Sequence, residues 1–153
     1  MQRIGLISDT HGLLRPQALV ALQGSDHIIH AGDIGAPEIL RALAAIAPLT
    51  AVRGNNDRDD WASDVPEFAD VVLGGIRIHV LHDLHDLDTA TCGEKFDVIV
   101  SGHSHKPRIE RRDAVLFVNP GSAGPRRFRL PVTLGELRVD GARVDARILD
   151  LVL

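Results

Sequence analysis

An α/β fold of two stacked sheets with helices on the outside is predicted by three features of this 153-residue chain. Residues 4–53 alternate short apolar runs with helix-length segments. Residues 68–149 carry hairpin signals, and metal-ligand residues gather at the ends of the apolar runs. Alternation calls for parallel strands joined by right-handed crossovers, and hairpins call for antiparallel pairing. A parallel half and a hairpin-rich half bury their apolar faces by stacking as two sheets.

The first strand spans residues 4–8. A helix over 14–23 follows, with Pro16 in its first turn, where the missing N–H costs nothing, and Gly24 as its stop. Residues 26–31 form the second strand. Residues 36–47 form the second helix, opened by Pro37 and closed before Pro48, and residues 49–53 the third strand. Runs at 68–73 and 76–81 flank Gly74-Gly75, a two-residue turn suited to a hairpin. A short helix around 86–92 precedes a buried strand at 96–101. Further strands are expected at 114–118, 132–139 and 142–149, the last two joined through Asp140-Gly141. No repeat, low-complexity stretch or linker divides the chain, so residues 1–153 read as one domain.

An apolar content of 44% supports one core, built mostly from Val, Ile, Leu and Ala, since the chain has one Trp, four Phe and no Tyr. So few rings argue against a base-stacking nucleic-acid module. The formal charge of −4, with only short basic clusters at 108–112 and 126–129, argues against strong nonspecific nucleic-acid binding. Cys92 is the single cysteine and has no intramolecular disulfide partner, which fits a reducing cytoplasm. The chain enters its first strand at once, without a signal segment, and no apolar run is long enough to span a membrane.

Asp9-Thr10-His11, Asp33, Asn55, His82 and His103-Ser104-His105 follow apolar runs, the place where open α/β sheets bind ligands. Carboxylate and amide oxygens combined with imidazole nitrogens suit Mn, Fe, Co, Ni or Zn. Singly, each motif also has a plainer explanation. Asp-x-His after a strand can be a capping Asp beside a surface His, while Gly32-Asp33 and Gly54-Asn55-Asn56-Asp57 can be turns. Gly102-His103-Ser104-His105 is the most specific local element, and the recurrence at five strand ends suggests a two-metal hydrolase centre.

The ordered set Asp9-Thr10-His11, Gly32-Asp33, Gly54-Asn55-Asn56-Asp57, His82, Gly102-His103-Ser104-His105 and Asn119-Pro120-Gly121-Ser122 resembles the calcineurin-like metallophosphoesterase superfamily, especially its small single-domain prokaryotic phosphodiesterase branch. The resemblance spans nearly the whole chain. It implies a four-layer αββα sandwich of two mixed β-sheets flanked by helices, with a dinuclear metal centre at one edge. Asp9, His11 and His105 would hold one divalent ion and Asn55, His82 and His103 the other, with Asp33 bridging them. A shared hydroxide would attack phosphorus in line, with Asp33, Asn55 and Asn56 as the catalytic residues and Mn as the favoured metal over Ni, Fe, Co or Zn. The expected substrate is a small phosphate ester, most of all a diester. Members often assemble, so a homo-oligomer is also an expectation.

Two departures from the superfamily pattern bear on mechanism. Asn56 stands where many members carry a histidine, and an amide cannot serve as a general acid near neutral pH. Asp57, His85 or metal-bound water would then supply the leaving-group proton. Asp83 follows His82 where glycine is usual, and either orients His82 or faces solvent. The repeat of Leu-His-Asp makes His85 the competing ligand to His82. His27, His30 and His79 read as structural or surface residues, and Asn119-Pro120-Gly121-Ser122 as a loop that shapes the site. Arg53, Arg126, Arg127 and Arg129 could meet substrate phosphate or lie in solvent. A metal-binding interaction scaffold, a role that a retromer subunit of this fold has, and a phosphomonoesterase are the alternatives.

Overall fold

The computed structural model describes residues 1–87 and 95–153. In chain order its elements are β1 (Gln2–Ile7), α1 (Pro16–Leu22), β2 (His27–His30), α2 (Pro37–Ala44), β3 (Leu49–Ala51), β4 (Phe68–Leu73), β5 (Ile76–Leu81), β6 (Val98–Val100), β7 (Arg108–Arg112), β8 (Val115–Asn119), β9 (Thr133–Asp140) and β10 (Arg143–Asp150). They form two five-stranded mixed sheets, ordered β10-β9-β1-β2-β3 and β4-β5-β6-β8-β7. Strands β1, β2 and β3 run parallel, as the alternation predicts.

The two halves of the chain do not each form a sheet of their own. The β9–β10 hairpin returns to pair antiparallel with β1, and β6 and β8 run parallel to β5. A hairpin's turn chemistry encodes its own pairing but not the strand it docks beside. Packing makes that choice: Leu137 and Val139 on β9 join Ile4 and Leu6 on β1 in the core between the sheets. Ile78, Val80, Val98, Val100, Leu116 and Val118 line that core from the other side. Each such aliphatic side chain contributes about 1.5–3 kcal/mol when fully buried.

The outer face of the first sheet is covered by α1 and α2, whose Ala18, Leu22, Ile39 and Leu43 pack on Ile7, Ile28 and Leu134. On the second sheet, Leu84, Leu87 and Phe96 cover Leu81, Ile99, Val115 and Phe117. The fold is therefore an α/β sandwich whose fourth layer is represented, among the described residues, by the 3₁₀ turn Leu84–Asp86 and its neighbours. The rest of the helix expected at 86–92, with Cys92, lies outside the described residues. Both helices are shorter than predicted and begin at their prolines. Gly74 and Gly75 have φ of 59° and 81°, the left-handed pair that a tight hairpin turn demands. No helix among the described residues is long and apolar enough to cross a membrane.

Strand β7 is unanticipated in the sequence, because Arg-Ile-Glu-Arg-Arg lacks alternation. It sits at a sheet edge where neither face is buried, and its charges keep that edge from pairing with another chain.

One polar group is built into the first sheet. Glu136 on β9 is buried, and its carboxylate accepts from Arg3 Nε at 2.6 Å, Arg138 Nε at 3.2 Å and Arg147 Nε. Arg3 also donates to Ala21 O and Gln23 O, each at 2.7 Å, tying the end of α1 to the strand beneath it. Burial alone would push the Glu136 carboxyl up, but the Arg147, Arg3 and Arg138 hydrogen bonds outweigh it and hold it below the usual range. A depressed carboxyl stabilises the fold above its unfolded pKa and loses that contribution as pH falls through the folded value. Glu136→Gln should cost about 1.5–3 kcal/mol in urea unfolding at pH 7, the scale of hydrogen bonds to a charged group. The gap should narrow below about pH 4, near the unperturbed glutamate value.

Candidate metal centre

The site is assembled from turns that leave the carboxyl ends of strands. Asp9 and His11 follow β1, Asp33 follows β2, Asn55 follows β3, His82 follows β5, and His103 and His105 follow β6. The β1 and β2 turns are laced together by backbone hydrogen bonds, from Asp9 N to Gly32 O at 3.0 Å and from His11 N to Asp33 O at 2.9 Å. Asp9, His11, Asp33, His103 and His105 all have positive φ, between 46° and 75°. Left-handed backbone at non-glycine residues costs about 1–3 kcal/mol each and persists where the surroundings over-determine it. Five such residues in one cluster mark a site held in place against local preference.

Close approach explains the glycines between them. A Cβ on Gly54 would lie 2.1 Å from Asp33 Oδ1, and one on Gly102 2.1 Å from Ser8 Oγ. Neither leaves room for any other residue, so the Asp33 and Asp9 carboxylates are packed against bare backbone.

Two triads of ligand-type side chains result: Asp9, His11 and His105, and Asp9, Asp33 and His82. Asp9 Oδ1 lies 3.8 Å from His11 Nε2, 3.5 Å from His105 Nε2 and 3.9 Å from His82 Nε2. Asp33 Oδ2 lies 3.2 Å from His82 Nε2 and 3.7 Å from His11 Nε2, so it faces a histidine of each triad. His11 and His105 stack with their Nε2 atoms 3.4 Å apart. His103 is half exposed at the rim, edge-on to His82 with ring centroids 5.2 Å apart. Asn55 is exposed and lines a cleft of about 230 Å³ together with His82 and Asp83.

The electrostatics are those of negative charge forced together out of water. Burial pushes the Asp9 carboxyl above the usual range, despite His82, the Ser8 hydrogen bond and His105. Burial acts the same way on Asp33, but the His82 imidazole 3.2 Å away and the Asn56 backbone hydrogen bond, with the His82 and His11 charges, bring it down to about 2. His82 is lowered by burial and raised further by Asp33 and Asp9, ending above its ordinary value. Its Nδ1 donates to Ala31 O at 2.8 Å, which leaves the Nε2 lone pair aimed at the carboxylates. His82 Nε2 and Asp9 Oδ1 are both buried without a hydrogen-bond partner. An oxygen donor and a nitrogen donor, both buried, unpaired and facing one another, are what a divalent cation satisfies. The donor set therefore fits the metal that the motifs suggest.

Supporting residues hold the donors in place, and one of them, His30, reads from the sequence only as a structural or surface residue. Asn56 donates to both oxygens of Asp33, from its backbone N at 2.9 Å and from Nδ2 at 3.1 Å. His30 is fully buried. Its Nδ1 accepts from Gly32 N and its Nε2 meets Thr10 Oγ1 at 3.0 Å, while the Thr10 hydroxyl donates to Ile34 O. Burial first, then the His82 charge, pulls its pKa to about 3, so a neutral ring braces the two turns. Asn119 donates to Gly102 O and Ser122 donates to Asp9 O, which gives the Asn119-Pro120-Gly121-Ser122 loop the shaping role expected of it.

Several groups whose roles the sequence leaves open have defined surroundings. Asp57 is no free proton donor, because its carboxylate accepts from Gly54 N, Ile34 N and Gly35 N at 2.9–3.0 Å and clamps the Asn55 turn to the Asp33 turn. Asp83 does not orient His82; it accepts from His85 N and meets His85 Nδ1 at 2.9 Å, with Oδ2 3.7 Å from His103 Nε2. The competing ligand His85 is 93% exposed, far more open than His82. Arg53 is engaged by Glu67 at 3.0 Å. Arg127 lies near enough to His105 for its charge to lower that imidazole's pKa, after burial and against Asp9.

A model of the calcineurin-like phosphoesterase superfamily domain matches residues 2–141. The chain belongs to that family. A probable metallophosphoesterase of Methanothermobacter thermautotrophicus is 34% identical over 158 aligned residues, covering 95% of this chain and 91% of the relative. The solved structure of an archaeal phosphodiesterase superposes with a TM-score of 0.78 at 25% identity, covering 96% of this chain and 99% of the other. Vacuolar protein sorting 29 of Cryptosporidium parvum reaches 0.84 at 23% identity, covering 98% and 91% of the two chains, a likeness of fold. Family membership accounts for the sandwich and for a cluster of oxygen and imidazole donors at its edge.

The Asp57 clamp yields a direct expectation. Asp57→Ala strands the Ile34, Gly35 and Gly54 amides, and a buried unpaired N–H costs about 1–3 kcal/mol. Urea unfolding should show a loss of at least about 2 kcal/mol by that measure, with Asp57→Asn recovering part of it; an unchanged midpoint for Asp57→Ala would show that the clamp does not bind the two turns.

Proposed function

We propose that the protein is a metal-dependent phosphoesterase acting most readily on phosphodiesters. Asp9, His11 and His105 would hold one divalent ion and Asn55, His82 and His103 a second, with Asp33 available to both. The facing, unpartnered Asp9 Oδ1 and His82 Nε2 carry the proposal, and the membership of the family supports it. Two cations bound there would lower the pKa of a shared water to supply the attacking hydroxide and would neutralise phosphoryl oxygens, with Mn the favoured metal.

The protein's own groups do the rest. Asn56 fixes both oxygens of Asp33, leaving that carboxylate a single orientation. The Ala31 carbonyl keeps the proton of His82 on Nδ1 and so keeps Nε2 a donor to metal. Neither Asn56 nor the clamped Asp57 can protonate a leaving group, so esters with acidic leaving groups are turned over fastest.

Metal-stripped protein should hydrolyse bis(p-nitrophenyl) phosphate only after Mn(II) is restored, and Asp33→Ala should stay at least about a hundredfold slower, as loss of a group oriented around the reaction implies. Retained folding and metal binding without turnover on any metal would replace the enzyme by a metal-binding interaction domain. Metal analysis separates the two histidines: His82→Ala should lose bound metal and His85→Ala should keep it.

A further inference from the structure

Two clefts lie along the loops that carry the donors, and they differ in chemistry. The one beside His82 and Asn55 is lined by Asp83, Asp86 and Glu67, with Arg53 engaged by Glu67, which makes it acidic. The other, about 630 Å³, is formed by Ser104, Lys106, Arg127, Phe128, Arg129 and Leu130. Ser104 and Lys106, which line this second cleft, stand on either side of His105, so the cleft borders the loop that carries two of the proposed ligands.

Phe128 is the unusual residue there. Its side chain is 94% exposed, the most open of the large apolar residues among those described. It occupies the second position of a turn closed by Leu130 N donating to Arg127 O at 3.0 Å, with φ of 52°. Glycine or asparagine takes that position without strain, whereas a bulky aromatic residue is a conformational outlier. Packing against the described residues does not explain the ring, since none of them buries it, and neither does the backbone, which disfavours it. Three cations, Lys106, Arg127 and Arg129, line the cleft with it.

We propose that this cleft is the subsite for the organic part of the substrate, and that this part is a nucleotide. A base stacks on Phe128, and Lys106, Arg127 and Arg129 hold a phosphate other than the one being cleaved. The inference rests on the phosphoesterase proposal for the neighbouring centre and narrows its substrate class to nucleoside phosphodiesters. A flat π-face suits any base, so the cleft selects nucleotides without selecting among bases.

Two measurements separate the subsite from the chemistry. AMP and ribose 5-phosphate differ only in the base, and calorimetric titration of the Mn(II)-loaded protein should show AMP binding about tenfold more tightly, the scale of one stacked base. Phe128→Gly relieves the turn and should fold at least as well, judged by its melting temperature, yet bring the two ligands within about twofold by losing the stack. In turnover, thymidine 5′-(p-nitrophenyl phosphate) should exceed methyl p-nitrophenyl phosphate in kcat/KM by a similar factor, since both release the same group. Arg127→Gln should raise KM for thymidine 3′-phosphate 5′-(p-nitrophenyl phosphate), which carries an extra phosphate, more than for the ester without it. Equal binding of AMP and ribose 5-phosphate by the native protein, or a preference that survives Phe128→Gly, would overturn the subsite. AMP selectivity that depends on Phe128, with neither ester hydrolysed, would uphold the subsite and overturn the phosphoesterase proposal instead.

Discussion

The burial of two carboxylates, Asp9 and Asp33, within one cluster of histidines is the constraint on which the rest of this structure turns. Like charges out of water repel, and burial pushes the Asp9 carboxyl up while Asp33 is held down only by hydrogen bonds and imidazoles. A chain gains nothing in stability from such an arrangement unless something positive completes it. The surrounding architecture serves to keep the carboxylates there: bare backbone at Gly54 and Gly102, five left-handed residues and the three-amide clamp of Asp57.

Strain of this kind needs a stiff base. The core between the sheets is aliphatic and buried, and four of the five strands feeding the site, β1, β2, β5 and β6, are inner strands of their sheets, while β3, which leads to Asn55, is an edge. Inner strands are paired on both edges, so their ends are the least free to drift. Residues one turn beyond them inherit that precision. The bracing histidine, His30, shows how far this goes: a fully buried imidazole, kept neutral, is given over to holding two turns in register.

Charge is unevenly placed about the cluster. One cleft is lined by the carboxylates of Asp83, Asp86 and Glu67, and another by the cations Lys106, Arg127 and Arg129. The overall formal charge of −4 hides this division, because steering depends on where charges lie and not on their sum.

Local chemistry made much of this legible without coordinates. The two-glycine turn, the prolines opening both helices, and the placement of Asp, Asn and His after apolar runs are each short-range signals, and the sequence by itself determined the α/β class, the strand ends that carry donors and the family. It left out whatever depends on partners distant in the chain. Only the tertiary structure decided that β9 and β10 dock beside β1, that Arg-Ile-Glu-Arg-Arg is an edge strand, that Asp57 is a clamp and that Asp83 attends to His85 rather than His82. The physical reason is the same in each case. A turn or a helix start is set by neighbours a few residues away, whereas sheet order, burial and the partner of a carboxylate are set by which distant surfaces exclude water together.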